Sequence, residues 1–300
     1  MNSDAGALPR LWTAMATPFA PDGTLDEAGA ERLAAWLTSH GTDGLVVAGS
    51  TGEAATLTEG ERSALLRAAR RGARPGTPIY AGTGTSDTRR TVELSRRAQA
   101  DGADGVLVAA PAYNRPTQDG LTAHFLAAAE AISIPVMLYN VPSRTAVTVE
   151  PRTVARVMEQ AGNVLAVKEA GGRLDVFSRL RTAIPAGRFV LSGDDAATLP
   201  AMAVGAHGVV SVAAHVAGPL MAHMIADVLA GRRLDAIRRH ERLLPLVDEL
   251  FCLSSPIPLK WALSRLGLPG GPPRLPLTPA PPSSMAALDR LLDAFVQENV

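Results

Sequence analysis

The sequence predicts an α/β protein, a closed (β/α)8 TIM barrel with additional C-terminal helices, and three observations carry that prediction. Eight short apolar runs rich in β-branched residues recur along the 300 residues. Each run is continuous rather than alternating, as expected for strands of a parallel sheet buried on both faces. Between them lie segments of helical spacing, giving even units of roughly thirty residues, the size of a strand with its crossover helix. An open doubly wound sheet is the rival, but eight even units with no obvious switch point favour closure.

In chain order the runs are 11–19, 44–49, 78–84, 105–111, 135–140, 164–170, 188–194 and 208–212. Segment 26–40 places Leu33, Trp36 and Leu37 on one helical side, and 87–100 and 117–131 behave similarly. Thr58-Glu59-Gly60-Glu61 reads as a capping box before Leu65 and Leu66. Gly41, Gly72, Gly102 and Gly162 punctuate helix ends. Three further helical segments follow, 235–251, 258–266 and 284–298, the last two separated by the seven-proline connector 268–283. Proline cannot continue a helix, so this connector reads as an ordered or semi-rigid loop. The expected division is a barrel over 1–230 and a helical extension over 231–300.

Composition narrows the function. Basic and acidic residues balance at 29 each, which gives no reason to expect nucleic acid or an anionic membrane as partner. Residues 1–10 lack an apolar core, so no signal peptide is expected. The apolar stretch 208–230 is broken by His215, Pro219, His223 and Asp227, which reads as a strand and a packed helix rather than a membrane span. The single cysteine, Cys252, excludes an internal disulfide and a multi-cysteine metal site. Its neighbours Phe251 and Leu253 suggest a buried thiol. A cytoplasmic protein without cofactor or metal is expected.

Chemistry in a parallel barrel collects at the carboxyl ends of the strands. Only two of the 29 basic residues are lysines, Lys168 and Lys260. Arginine stays protonated, whereas a buried lysine can lose its proton and act as a nucleophile. Lys168 ends the sixth run and is either a Schiff-base amine or the partner of a buried carboxylate. Lys260 lies beyond the barrel and reads as structural. The second run ends in Gly49-Ser50-Thr51-Gly52-Glu53, either a carboxylate-binding turn of free N–H groups or a tight turn with a hydroxyl cap. Two of the three tyrosines, Tyr113 and Tyr139, end adjacent strands. They are rim residues or a proton relay beside the amine. Gly193 allows close backbone approach after the seventh run, and Asp194 and Asp195 read as helix caps rather than metal ligands. His207 and His215 read as structural.

These residues carry a resemblance. The chain resembles the dihydrodipicolinate synthase/N-acetylneuraminate lyase family of class I aldolases over residues 12–278. The matching motifs are Gly49-Ser50-Thr51-Gly52-Glu53, Tyr113-Asn114-Arg115-Pro116, Tyr139-Asn140-Val141-Pro142-Ser143-Arg144-Thr145, Lys168-Glu169-Ala170, Leu191-Ser192-Gly193-Asp194-Asp195 and Pro256-Ile257-Pro258-Leu259-Lys260-Trp261. The resemblance implies that Lys168 forms an imine with pyruvate and that Tyr139 is the general acid/base. It implies a hydroxyl relay of Tyr139, Ser50 and Tyr113, with Tyr113 reaching in from a neighbouring subunit of a dimer or tetramer. It implies that Ser50 and Thr51 hold the pyruvate carboxylate, that Gly193 and Val210 line the substrate, and that Arg144 binds the carboxylate of aspartate semialdehyde, a mark of the synthase branch. The implied product is 4-hydroxy-tetrahydrodipicolinate, on the route to diaminopimelate and lysine. Free lysine has a pKa of about 10.4 and free tyrosine about 10, so each needs its surroundings to serve near neutral pH.

The chain also departs from that pattern. Ser50 stands where threonine is common, which keeps a hydroxyl. Ala112 replaces a second aromatic. Ala54, Arg62 and Arg90 replace the polar or acidic residues of a lysine-inhibition site, so weak or absent feedback by lysine is expected. Ala146 replaces a common glycine near the second-substrate pocket. Two other readings therefore stand beside the synthase: an aldolase or hydratase-aldolase for another pyruvate-derived acid, and a non-catalytic keto-acid-binding barrel.

Overall fold

A computed structural model describes residues 8–297. The strands are β1 (Leu11–Ala14), β2 (Gly44–Val47), β3 (Ile79–Gly82), β4 (Gly105–Ala109), β5 (Val136–Asn140), β6 (Val164–Glu169), β7 (Phe189–Ser192) and β8 (Gly208–Ser211). They pair in parallel in sequence order and β8 closes onto β1, so the barrel is complete. Most strands are shorter than the apolar runs because the last residues of the run leave the sheet and become the loops of the upper rim; β5 alone of the eight ends with its run.

The barrel helices are α1 (Glu27–Ser39), α2 (Glu59–Gly72), α3 (Thr88–Ala100), α4 (Gln118–Glu130), the single turn α5 (Pro142–Thr145), α6 (Pro151–Gln160), α7 (Leu174–Ala183), α8 (Thr198–Ala203) and α9 (Ala214–Leu229). Their starts are written in the sequence. Asp26, Asp87 and Thr117 accept backbone N–H bonds at the starts of α1, α3 and α4. Thr58 and Glu61 form the reciprocal capping box of α2. Gly41 and Gly102 follow helices in the left-handed conformation. Gly72 acts differently, as the last residue of α2, where a Cβ would lie 1.9 Å from the carbonyl of Glu31. It is there for close contact between α1 and α2.

Two hydrophobic layers hold the barrel. The outer one lies between strands and helices and includes Leu33, Leu45, Leu65, Phe125 and Val190. The inner one fills the barrel with Trp12, Val46, Tyr80, Leu107, Met137, Ala166, Leu191 and Val210. Trp12 and Tyr80 meet edge to face at 4.6 Å. Gly44 and Gly105 make room for these rings, since a Cβ at either would lie within 2.6 Å of one. Side chains two apart on a strand share a face. Tyr139 therefore joins Met137 on the inner face, and Lys168 joins Ala166.

After the barrel come α10 (Arg233–Leu250), α11 (Ile257–Arg265) and α12 (Ala286–Gln297). Leu243, Leu246, Leu259, Leu263, Leu288 and Leu292 bury into the outer layer. Burying each such leucine stabilises the fold by about 1.5–3 kcal/mol. Cys252 departs from expectation: it is exposed, as are Phe251 and Leu253. These residues occupy the turn between α10 and α11, where apolar neighbours in sequence provide no cover. His207 and His215 are structural, as read. The Nε2 of His215 accepts from Ala16 N–H at 3.1 Å and its Nδ1 donates to the Val212 carbonyl at 2.8 Å. This ring is neutral, and burial pulls its pKa down to about 4. Among the described residues, no helix is long and apolar enough to cross a membrane.

Candidate active site

Strand register sets the centre of the site. Tyr139 on β5 pairs directly with Lys168 on β6. Both side chains face inward at the carboxyl end of the barrel, and the Lys168 Nζ lies 4.3 Å from the centroid of the Tyr139 ring. Both residues are buried, at 5% and 6% exposure. Among the described residues, the Lys168 amine has no hydrogen-bond or ion-pair partner. The alternative of a lysine paired with a buried carboxylate is thus not what the fold contains. The adjacent acid, Glu169, faces the other way, accepting from Asn140 Nδ2 at 2.8 Å and from Gly171 N–H at 2.6 Å. Burial raises its pKa above the usual carboxylate range.

Gly193 makes space for the amine. A Cβ there would stand 2.8 Å from both Lys168 Cε and Ala170 Cβ. The two aspartates after it hold turns. Asp194 accepts from Ala196 N–H at 3.0 Å, beside the start of α8. Asp195 reaches across to Val212 N–H, Ala213 N–H and the Ser211 hydroxyl, and so ties down the turn between β8 and α9. Val210 lies in the inner layer with Tyr139, at 1% exposure.

The loop after β2 is bent by two non-glycine residues in the left-handed region, Ala48 (φ 51°) and Glu53 (φ 53°). Each costs roughly 1–2 kcal/mol of backbone strain. The bend leaves the backbone N–H groups of Ser50 and Thr51 without an acceptor among the described residues, suited to an anion. Thr51 is buried and Ser50 is exposed.

Glu53 closes that loop onto the C-terminal extension. Its Oε1 lies 2.5 Å from the Nζ of Lys260, with both side chains buried, and its Oε2 accepts from Arg274 N–H at 2.8 Å. Lys260 also donates to the Pro272 carbonyl at 3.1 Å. The Arg274 guanidinium covers the Phe19 ring at 4.0 Å, donates to the carbonyls of Gly23 and Thr56, and pairs with Glu61. The proline-rich connector is therefore pinned to the loop that carries Ser50 and Thr51. Sequence reading had not assigned Glu53, Glu61 or Arg274 a role there.

A cleft of about 540 Å³ opens at this rim, and its walls include Ser50, Arg62, Tyr139, Arg144, Ser255 and Arg274. Lys168 lies one strand over from it, against the Tyr139 ring. Arg144 stands on the single-turn helix α5, started by Pro142, and its Nη2 donates to the Ser255 carbonyl at 3.3 Å. Ala146 takes the left-handed conformation (φ 58°) as the cap of α5 and is not a wall of the cleft. Arg62 is largely buried and donates to the Gly82 and Ala54 carbonyls at 2.9 and 2.5 Å. Tyr113 is not brought to the site within one chain. It sits in the loop after β4 with φ 71°, is 92% exposed, and its phenol bonds to nothing among the described residues.

Comparison with known proteins agrees with this geometry. Residues 7–295 match the model of the dihydrodipicolinate synthetase family. The chain is 50% identical over 271 residues to a 4-hydroxy-tetrahydrodipicolinate synthase of Moorella thermoacetica, covering 90% of this chain and 92% of that relative. Among solved structures, dihydrodipicolinate synthase of Bacillus anthracis superposes with a TM-score of 0.93 at 41% identity, over 96% of this chain and 98% of that one. The enzyme of Cyanidioschyzon merolae with lysine bound gives the same four values. The chain belongs to the dihydrodipicolinate synthetase family.

Proposed function

We propose that the protein condenses pyruvate with L-aspartate 4-semialdehyde to 4-hydroxy-tetrahydrodipicolinate, through a Schiff base on Lys168. The observation that carries this reading is a buried amine that has no hydrogen-bond or ion-pair partner among the described residues, 4.3 Å from a tyrosine ring at the carboxyl end of the barrel. The neutral amine attacks the keto carbon of pyruvate, and loss of water leaves an imine. The imine draws electrons from the methyl group, which gives up a proton and becomes an enamine. That enamine attacks the aldehyde carbon, and the amine of the aldehyde substrate, once it has lost a proton, displaces the Lys168 nitrogen from the imine carbon, which closes the ring and frees the lysine. Tyr139 is the group placed to move these protons. The free N–H groups of Ser50 and Thr51 suit the pyruvate carboxylate, with Gly193 and Val210 shaping the space around it. Arg144 suits the carboxylate of the aldehyde substrate through paired hydrogen bonds.

Ser50, on the walls of the same cleft as Tyr139, is the relay hydroxyl, and Tyr113 is the third member, supplied by a second copy of the chain. The working unit is then at least a dimer. Full activity from a species that sediments as a monomer would overturn this. Feedback by free lysine is expected to be weak or absent, because Arg62 and Arg90 would meet its ammonium groups with like charge. A pathway enzyme of the cytoplasm fits these properties.

The test is intact mass after incubation with pyruvate and borohydride, on wild type and Lys168→Arg. A pyruvate-sized adduct on wild type alone is expected. No adduct on wild type would bring forward a non-catalytic keto-acid-binding barrel. An adduct with no turnover of aspartate semialdehyde, but turnover of another aldehyde, would bring forward the aldolase alternative.

A further inference from the structure

Among the polar groups on the cleft wall that the proposed chemistry does not use, one is buried without a partner. Ser255 is 5% exposed and lines the cleft beside Arg144, and its hydroxyl oxygen is buried without a hydrogen-bond partner among the described residues. A buried hydroxyl left unsatisfied destabilises the free protein, so it calls for an explanation. The backbone of the same residue is committed, since its carbonyl takes the Nη2 of Arg144 at 3.3 Å. This bond fixes one edge of the guanidinium next to the serine and leaves its other N–H groups for a ligand carboxylate.

An amino-acid aldehyde held there by its carboxylate would bring its ammonium group close by. The charged side chains on the cleft walls are Arg62, Arg144, Arg274 and Glu53. Glu53, the single acid among them, is already spent on Lys260 and on the Arg274 backbone. No carboxylate on these walls is free to meet a substrate ammonium, so neutral oxygens must do so. The Thr145 hydroxyl, also on the wall, already donates to the Val141 and Val147 carbonyls. The Ser255 hydroxyl is uncommitted, and rotation about its χ1 moves it between staggered positions.

We propose that the Ser255 hydroxyl receives the ammonium group of the aldehyde substrate whose carboxylate Arg144 holds, and so selects amino-acid aldehydes. This rests on the reading of the second substrate given above. The experiment compares wild type, Ser255→Ala and Ser255→Thr with L-aspartate semialdehyde and with its desamino analogue succinic semialdehyde, alongside the pyruvate–borohydride adduct. Ser255→Ala is expected to lower kcat/KM for aspartate semialdehyde about tenfold, mainly through KM. The desamino analogue should be consumed as by wild type, the adduct should be unchanged, and Ser255→Thr should restore selectivity. Equal losses on both aldehydes, or none on either with a raised Tm, would overturn the proposal and leave the serine an idle orphan. Failure of the underlying reading looks different: wild type itself would form the adduct yet not consume aspartate semialdehyde, and the proposal would fall with it.

Discussion

The two lysines of this chain sit in matching surroundings and have opposite fates. Lys168 at the end of β6 and Lys260 in α11 are 5% and 3% exposed, and each amine lies 4.3 Å from an aromatic centroid, Tyr139 in one case and Phe19 in the other. Lys260 has a carboxylate at 2.5 Å and a carbonyl at 3.1 Å. Lys168 has neither. Burial pulls the Lys260 ammonium toward neutrality while Glu53 opposes it. Burial and an aromatic lid do not by themselves make a reactive amine. What separates the two is whether the fold supplies an anion to hold the proton. The Lys260 region is a fastener, and the proposed Schiff base assigns the Lys168 region the opposite task.

The largest expected effect follows from removing the amine at Lys168. Lys168→Met should abolish the pyruvate adduct and lower turnover by at least about a thousandfold, the scale of losing a covalent nucleophile. The same change should leave thermal stability unchanged or raise it, since it removes a buried polar group that has no partner. A clear fall in Tm together with retained turnover would break the comparison at its first term.

Lys260 should behave in the reverse sense. Lys260→Met strands the Glu53 carboxylate in a buried position, which costs about 3–5 kcal/mol. In a chain of this size that lowers Tm by roughly 10 °C. The folded protein should still form the pyruvate adduct. Pairing the change with Glu53→Gln should recover part of the loss, because the stranded charge is gone. A Lys260→Met protein of unaltered Tm that no longer forms the adduct would make Lys260 the reactive amine.

This contrast also shows which parts of the molecule were legible in the sequence. The barrel was, because continuous apolar runs and helix caps are local signals. The placing of Lys168 and Tyr139 was, because each lies near the end of a run and the strand period puts it on the inner face. The fastener was not. Arg274 finds Glu61 213 residues away and Glu53 221 residues away, and no local pattern announces such pairs. Ser255 was missed for a related reason: its only local signal is a hydroxyl pair, Ser254 and Ser255, before Pro256. Its meaning comes from Arg144, 111 residues earlier. Cys252 went wrong because apolar neighbours in sequence were read as cover, and cover is a property of the fold.

The smallest effect concerns pH and sharpens the contrast between the ion-paired fastener and the amine of Lys168. Glu61 is held at a pKa of about 2, down from 4.5, chiefly by its hydrogen bonds with Arg274. A carboxyl with a depressed folded pKa contributes stability that is complete above its unfolded value, declines as pH falls below about 4.5, and is gone below about 2. The side chain is 22% exposed, so screening reduces the contribution to on the order of 1 kcal/mol. Urea midpoints of wild type and Glu61→Gln should therefore differ at about pH 6 and converge toward about pH 3. A gap of constant size would show that the charge of Glu61 does not carry the difference. At about pH 6, where Glu61 is fully charged, the Gln variant should form the pyruvate adduct as wild type does. Loss of the adduct there would mean that the fastener also shapes the loop of Ser50 and Thr51, and that the two regions act as one.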